Sequence, residues 1–570
     1  MAISSNTILV DEGQSAREST EGLSMRDMSV PGDRGLEKTS LAVGQEAVKE
    51  QVLHDDKVIE YPTGLKLFLL ALALCLSIFL VALDSTIIAT AIPQITDQFN
   101  SLNDVGWYGS AYLLTTAAFQ LIFGKFYTFF SLKWVFLIAI GIFELGSLIC
   151  GVAPNSTALI VGRAIAGVGS AGVFSGAYVL IATSVPLPKR PSFNGLIGGV
   201  YGISSVVGPL LGGAFTEKIT WRWCFYINLP IGGIAVAVMI FFFSPVPQPG
   251  GIPQLSWKER MAHLDIPGTL LFIPGVVCLL IALQWGGSTY PWSNGRVIAL
   301  FVVFGVCIIL FIGIQFWKPK VATLSPLMLR KRSVWAASTF AFFMGSAFFV
   351  TVYYLPIWFQ AVKGVSAYES GIRNIPILLA VVVGTITSGG LVSKIGYYTP
   401  FMLASTVLTS VGAGLLTTLE LDSSSSKWIG YQVLCGFGIG LGLQLPLVAI
   451  QTVLDMSEIP TATALVLFMQ LFGAAVFVSV GESLLATRLV SYISRTVPDV
   501  DAVAVASSGA TNIQHAIPVE YLHGVIAEYN SGLMQVFKLV VAMACLTSIG
   551  SMGMEWRSVK GKQTQIPAAG

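Results

Sequence analysis

Charged side chains are scarce in this sequence. Asp, Glu, Lys and Arg make up 11% of its 570 residues, and hydrophobic residues make up 54%. A soluble domain carries roughly 25% charged residues, so most of this chain is unsuited to contact with water. Apolar runs repeatedly reach the length of about 20 residues that crosses a hydrocarbon layer about 30 Å thick. The chain is therefore predicted to be an all-α polytopic membrane protein whose main partner is the lipid bilayer.

Several functional signatures are also missing. The net charge of +2 and the lack of a basic cluster interleaved with aromatics argue against nucleic-acid binding. The seven cysteines show no CxxC spacing and the four histidines are scattered, so we expect neither disulfides nor a metal site. The sequence shows no P-loop and no nucleophile–base set, so we expect no ATP-driven step, no catalytic residues, no cofactor and no enzymatic activity.

The chain consists of a polar tail followed by closely spaced apolar segments. Residues 1–62 lack a sustained apolar period and are predicted to form a disordered N-terminal tail. The longest connection, 487–530, is predicted to be a loop on the outer side, and 554–570 to be a second tail. Fourteen membrane helices are predicted, near residues 66–92, 105–126, 134–153, 157–184, 193–216, 222–243, 266–286, 296–316, 334–361, 370–392, 399–420, 427–452, 460–486 and 531–553.

The orientation follows from the loops. Lys and Arg are more frequent in the connections on the side of the N-terminus, which by the positive-inside rule places both termini in the cytoplasm. Asn155 begins a glycosylation sequon on the outer side. Its loop lies so close to the bilayer that we do not expect efficient modification.

Glycine is concentrated in the segment 198–213, GGVYGISSVVGPLLGG. At about 100° per residue, small residues of this segment fall along one narrow stripe, which favours close contact with a neighbouring helix. A tight helix contact alone would account for such a stripe. The joint pattern GxxxxxGPxxGG is more specific and resembles the antiporter motif in helix five of drug:proton exchangers of the major facilitator superfamily (MFS); it comprises Gly202, Gly208, Pro209, Gly212 and Gly213.

Two further stretches carry the same resemblance. LDSTIIATAIP at 83–93 resembles the first-helix motif of fourteen-helix drug:proton antiporters, and LIVGRAIAGVGSAG at 159–172 resembles their fourth-helix motif RxxxGxG. The resemblance implies an MFS fold with two six-helix bundles, 63–243 and 334–553, separated by a linker at 244–333 that holds two extra helices. It also implies alternating access and proton-driven export of small lipophilic compounds, such as a mycotoxin, another secondary metabolite or a drug.

Two basic turns look like copies of one another. GKFYTFFSLKWVF follows the second helix and GGLVSKIGYYTPF follows the tenth, as expected of a duplicated transporter. Both resemble the MFS signature GxLaDRxGRk, which implies cytoplasmic gating turns. Thr128 and Ser393 stand where the signature has its acid, so a gating salt bridge is doubtful here. The residues assigned to the gating turns are Gly124, Lys133, Gly389 and Lys394.

Three charged residues fall deep within predicted membrane helices. Counted along the helices, Asp84, Glu144 and Arg163 lie at similar depth in the N-terminal half. A charge at such a depth costs at least about 2.5–3.5 kcal/mol, so each one calls for an explanation. One hypothesis is a proton-coupling site, which the family position of Arg163 supports by resemblance. The alternative is a static network whose charges only satisfy one another.

Polar residues that could line the path of a cargo are few. Each of them is also suited to a hydrogen bond between helices, and the sequence leaves both interpretations open. The candidates are Gln120, Gln360, Asn374, Gln444 and Gln470.

Two transport functions remain in competition at this point. The preferred hypothesis is a monomeric exporter in the plasma membrane that uses the proton gradient as its energy source. The alternative is a proton-coupled importer of the same fold, for a siderophore or a basic amino acid. The vacuolar membrane is the alternative location, and the cargo itself is not encoded in any motif.

Overall fold

The computed structural model describes residues 61–101, 104–243, 256–287, 290–319, 321–497 and 517–561. These residues belong to one compact unit, Ile59–Gly570. The predicted tail 1–62 lies almost entirely outside the described residues. Every predicted membrane segment corresponds to a helix or a broken helix. They are α1 (Gly64–Phe99), α2 (Val105–Phe129), α3 (Leu132–Val152), α4 (Ser156–Ser184), α5 (Arg190–Lys218), α6 (Trp223–Phe242), α7 (Ile266–Trp285), α8 (Gly295–Trp317), α9 (Arg332–Ala361), α10 (Ile375–Ile395), α11 (Thr399–Leu416), α12 (Ser425–Val453), α13 (Ile459–Thr496) and α14 (Val519–Gly553).

Most of these helices are built to cross a membrane. Within the described residues, 13 helical spans are long and apolar enough to do so. The remaining helix, α2, has 25 residues but is interrupted by polar side chains, among them Thr116, Gln120 and Lys125. These side chains are buried against other helices, so their polarity does not meet lipid.

The predicted outer loop at 487–530 is wrong over much of its length. Helix α13 continues to Thr496, and α14 already begins at Val519. The two extensions are held together because Arg488 pairs with Glu528 at 2.5 Å, with apolar side chains buried alongside. A helix pair thus replaces both ends of the predicted loop, and 498–516 lie outside the described residues.

Three membrane helices are broken rather than continuous. α6 is interrupted at Ile227, α12 is interrupted at Gln444, and Asn374 separates α10 from the short helix Ala367–Arg373. The pieces after Asn374 and Gln444 each begin with a proline in the first turn, where a missing N–H costs nothing. The breaks bring polar side chains to membrane depth, where broken helices commonly serve binding.

The helix contacts occur twice, offset by eight helices. In the first half α1 packs on α5 and α6, α2 on α4, and α3 on α4 and α6. In the second half α9 packs on α13 and α14, α10 on α12, and α11 on α12 and α14. The halves meet through α2 with α13 and through α5 with α10, while α7 packs on α8, α2 and α13. The fold is a duplicated six-helix bundle with an inserted helix pair.

The duplication extends to single contacts. Gly146 of α3 lies against Ala166 of α4 so closely that a methyl group on the glycine would overlap the alanine backbone. Gly412 of α11 lies against Cys435 of α12 in the same way. Small residues let both helix pairs approach backbone to backbone, as expected where lipid provides no hydrophobic driving force.

Candidate functional site

A buried ion pair lies at the centre of the first half. Arg163 Nη1 of α4 lies 2.5 Å from Asp84 Oδ2 of α1, and the two side chains are 1% and 0% exposed. Arg163 Nε donates to the Tyr108 carbonyl at 2.8 Å, and the guanidinium lies 4.5 Å from the centre of the Tyr112 ring. The structure therefore joins two of the three charged residues identified from sequence.

Asn228 completes the coordination of the Asp84 carboxylate. Its Nδ2 donates to Asp84 Oδ1 at 3.2 Å and to Ser147 Oγ of α3 at 3.1 Å. Asn228 lies directly after the break in α6, which explains why a polar residue is tolerated there. Sequence analysis missed Asn228 and Ser147, although an asparagine in the apolar stretch WRWCFYINLPIGG was a usable signal.

Glu144 is near this group but makes no hydrogen bond to Arg163. Both of its carboxylate oxygens are buried and have no hydrogen-bond partner among the described residues. Oε1 lies against Gly232 of α6, where any side chain would collide with it. The acids therefore differ in kind, since Asp84 is fully coordinated and Glu144 is not.

The glycine-rich helix α5 has two different partners rather than one continuous contact face. Near the middle of the helix, Gly202 lies against Val382 of α10 in the other half. Further along, Gly208 and Gly212 press against the Thr86–Thr90 region of α1 in the same half. Gly213 contacts nothing within 4 Å, so the structure gives it no packing role.

Pro209 lies beside a small crevice in the second half of α5, opposite the first turn of α10. The crevice has a volume of about 50 Å³ and is also lined by Thr90, Ser205 and Tyr368. The crevice lies between the part of α5 that contacts α10 and the part that contacts α1. Close contact between the halves is made at the other end of the helix.

The two predicted gating turns provide equivalent contacts between the halves. Gly124 at the end of α2 lies against Pro460 and Ala464 at the start of α13. Gly389 at the end of α10 lies against Pro191 and the backbone of α5. We call this level, where α2 and α10 end and α5 and α13 begin, the closed end.

Hydroxyl groups occupy the positions of the missing gating acids. The hydroxyls of Thr128 and Thr461 lie 3.4 Å apart, and Ser192 Oγ donates to Ser393 Oγ at 2.9 Å. The backbone N–H of Ser192, in the first turn of α5, also donates to Ser393. In both gating turns, a hydroxyl group therefore contacts the first turn of a helix in the opposite half.

The two lysines of these turns do not join the halves. Lys133 donates to the carbonyls of Ile240 and Phe243 and thereby caps the end of α6 in its own half. The Lys394 side chain is exposed, and its carbonyl accepts a bond from Lys560 of the C-terminal tail. In this conformation neither lysine contacts the opposite half, so their gating role stays a prediction, while the glycines of the same turns lie at the contact between the halves.

A further polar layer reinforces the closed end. Tyr178 of α4 donates to Gln444 Oε1 at 2.9 Å. Gln451 accepts from Asn194 at 3.3 Å, and its carbonyl accepts from Arg190. Among the described residues, the side-chain hydrogen bonds found between the halves all lie within about 15 Å of these helix ends. The halves are joined at one end.

The five candidate cargo residues have different surroundings. Gln120 donates to Ser175 of α4 and Gln444 accepts from Tyr178, so both join helices. Gln360 donates to Ser370 at 3.0 Å. Asn374 is buried and its Oδ1 has no hydrogen-bond partner in the described part of the chain, and Gln470 lies on α13 against Gly345 of α9.

Aromatic side chains surround the region of Gln470. Phe342 of α9 makes ring contacts with Phe343, Phe472 and Phe477 at centroid distances between 5.2 and 5.9 Å. A surface of this kind suits apolar, planar molecules, because rings contribute large apolar area at low entropic cost. The structure thus gives the C-terminal half a cluster of partly buried aromatic rings.

Asn155 serves as a helix cap. Its side-chain oxygen accepts from the Ala158 N–H at 2.9 Å and so caps the N-terminus of α4. Asn155 lies three residues after the last residue of α3. A sugar attached to Asn155 Nδ2 would sit on the same amide group whose oxygen caps α4. The structure therefore gives the first residue of the sequon a structural role.

Asp265 is an important residue that sequence analysis did not identify. It is 1% exposed and accepts from the Gly268 N–H, from Gln315 of α8 and from the N–H and hydroxyl of Thr323. Nearby, buried Lys125 of α2 donates to the Val321 carbonyl at 3.2 Å. The connection from α8 to α9 is therefore fastened both to the inserted helices and to a gating turn.

Fold and site together define a polytopic membrane transporter of duplicated design. The family model described as Major Facilitator Superfamily matches residues 74–478, and the chain belongs to this superfamily. Among curated proteins it is 54% identical to the MFS-type efflux pump MFS1 of Trichophyton rubrum, over 96% of this chain and 100% of that protein. It is 51% identical to the efflux pump aflT of Aspergillus parasiticus, over 87% and 97%, and 48% identical to the aspyridones efflux protein of Neocamarosporium betae, over 89% and 90%.

Solved structures support the fold alone. The human organic anion transporter MFSD10 (TETRAN) superposes with a TM-score of 0.55 at 13% identity, covering 85% of this chain and 100% of that one. The proton:xylose symporter XylE superposes with a TM-score of 0.53 at 12% identity, covering 86% and 98%. The predicted fold class is confirmed.

Proposed function

We propose that this chain exports small lipophilic compounds and is driven by protons that enter through the buried charges of the first half. The observation that carries this proposal is the ion pair between Arg163 and Asp84, which is removed from water on every side. A buried pair contributes little net stability compared with apolar packing. Intramembrane charges are typically retained for function, and protonation of Asp84 would release the guanidinium.

Alternating access accounts for the position of the contacts between the halves. The closed end is held by glycine contacts and single hydroxyl or amide hydrogen bonds, each with a net value of about 1 kcal/mol. Such contacts are strong enough together to close one side and weak enough to separate. The opposite end is where α5 leaves α10, and there we propose that cargo is released.

The cargo class follows from the lining and from the relatives. The aromatic group around Phe342 suits a compound with apolar rings, and the similar proteins are named as efflux pumps. We propose a monomer in the plasma membrane with both termini in the cytoplasm and no cofactor. Nothing in the site favours a siderophore or amino-acid importer, because the one buried ion pair of the described residues is internally satisfied.

The test uses the full chain in vesicles with an imposed pH difference and rhodamine 6G as a lipophilic probe. We expect the dye to move against its gradient toward the acidic compartment and to stop when an ionophore collapses the pH difference. Movement of equal size without a pH difference would refute proton coupling. Movement together with protons, down the pH difference, would indicate an importer.

A further inference from the structure

Glu144 is a buried acid that the ion pair does not use. Its two carboxylate oxygens lie in the contact between α3 and α6 and have no hydrogen-bond partner among the described residues. A charged carboxylate without a partner in hydrocarbon is far less favourable than the neutral acid. The surroundings of Glu144 therefore favour its protonated form, in contrast to those of Asp84.

One polar layer separates the two acids. Ser147 lies one turn beyond Glu144 on the same face of α3. Its Oγ accepts from Asn228 Nδ2, and the same amide group donates to Asp84 Oδ1. On α6, Asn228 and Gly232 are also one turn apart. Asn228 therefore contacts Ser147 and Asp84 at one level, and Gly232 contacts Glu144 one turn further along.

We propose that Glu144 is a proton-storage site that exchanges its proton with Asp84 by way of the Ser147 hydroxyl. This role rests on the proposed proton-driven export. In the transfer, the O–H bond of Glu144 breaks and an O–H bond forms on Asp84, so the net charge of the site is unchanged. In this conformation the Ser147 hydroxyl contacts neither acid, so the Asn228 side chain must first turn away from it; the hydroxyl then passes its own proton to Asp84 and takes the proton of Glu144.

The transfer has a defined structural consequence. Once Asp84 is neutral, it no longer holds Arg163 by charge, and the contact between α1 and α4 weakens. The bond from Arg163 Nε to the Tyr108 carbonyl does not depend on Asp84, so α4 remains attached to α2. Movement of a proton is thereby converted into movement of α1 relative to α4.

The proposed route lies away from the interface between the halves. α3 and α6 contact each other and other helices of the first half, whereas the halves meet through α2, α4, α5, α10, α12 and α13. Proton and cargo would therefore occupy separate places. The titratable groups around Glu144 and Asp84 include Tyr112 on α2, Cys150 on α3, Arg163 on α4, Tyr201 on α5 and Cys224 on α6.

The test is infrared spectroscopy of the full chain in lipid nanodiscs, with protons as the only ligand. At neutral pH the wild type should show the carbonyl band of a buried protonated carboxylic acid. The band should vanish in Glu144→Gln and persist in Asp84→Asn. A wild type without this band, or a Glu144→Gln variant that retains it in full, would overturn the proposal.

Adjacent glycines provide a matched control. Gly232→Ala places a methyl group against Glu144 Oε1, whereas Gly233 has no neighbour within 4 Å. Gly232→Ala should shift the band, and Gly233→Ala should leave it in place. Equal spectra for both variants would contradict the assignment of the band to Glu144 in this contact.

Vesicle transport separates this proposal from the proposed function. If wild-type export of rhodamine 6G ignores the pH difference, proton-driven export fails whatever the spectra show. If wild-type export depends on the pH difference and Glu144→Gln retains that dependence in full, storage at Glu144 fails alone. Export by Glu144→Gln that is at least tenfold less dependent on the pH difference is the expected result.

Discussion

The two halves of this transporter share their backbone contacts and differ in their charges. In the first half Asp84, Lys125, Arg163 and Arg190 are all buried. In the described part of the second half, no Asp, Glu, Lys or Arg is buried. One architecture thus carries an ionisable core on one side and a neutral core on the other.

The position of Arg163 shows this difference most directly. The motif RxxxGxG of α4 corresponds to QxxxGxG in α12, where Gln432 replaces the arginine. Gln432 is fully buried, and both polar atoms of its amide lack a partner among the described residues. The duplication preserved the packing glycines and not the ion pair. The duplicated position is therefore charged and paired in the first half and neutral in the second.

The largest expected effect comes from making the first half resemble the second. Arg163→Gln leaves Asp84 as an unpaired buried charge, which should destabilise the bundle by about 3–5 kcal/mol and abolish export. Thermal unfolding in detergent and vesicle transport measure the two effects. Gln432→Leu is the control and should be neutral or stabilising, because it removes unsatisfied polar atoms. Similar losses for both variants would remove the distinction between the halves.

The next effect concerns the connection between the halves. Asp265→Ala removes the acceptor of four hydrogen bonds and leaves buried donors unpaired, so we expect a loss of at least about 3 kcal/mol. The measurement is the unfolding temperature, compared with Glu259→Ala on the exposed short helix Trp257–His263. An unchanged unfolding temperature for Asp265→Ala would show that the connection is not fastened there.

A smaller effect is expected from the glycine contacts at the closed end. Gly389→Val places side-chain atoms against Pro191 and should destabilise the closed state by about 1–3 kcal/mol. Gly390→Val is the control, since Gly390 has no neighbour within 4 Å. Disulfide crosslinking of a Ser192→Cys, Ser393→Cys pair reports closure. We expect slower crosslinking in Gly389→Val, and equal rates would contradict the close approach.

The smallest effect should come from the hydroxyl pairs. Thr128→Ala removes one hydrogen bond between the halves, whereas Ser393→Ala removes the two bonds that Ser192 donates. A neutral hydrogen bond is worth about 0.5–1.5 kcal/mol, so we expect export to fall by up to about tenfold in Thr128→Ala and somewhat further in Ser393→Ala. A larger loss in Thr128→Ala than in Ser393→Ala would contradict this order.

Sequence reasoning predicted the helices and two members of the buried site, because long apolar runs and isolated charges are visible without coordinates. It did not identify Asn228 or Asp265, whose roles depend on contacts with residues far away in the chain, such as Ser147 and Thr323. The sequence could not show that Lys133 caps a helix of its own half, because a basic turn can do this as well as meet the other half. The end of α13 was missed because its polar last turns are stabilised by α14.

The length of α13 has a practical consequence. Its 38 residues span about 57 Å, against a hydrocarbon layer of about 30 Å. It begins directly after Glu458, which pairs with Lys331 at the closed end, so the surplus projects from the opposite surface. A thiol introduced by Ser491→Cys would stand in water on that surface alone. A membrane-impermeant reagent applied to intact cells would then report which way the molecule is inserted.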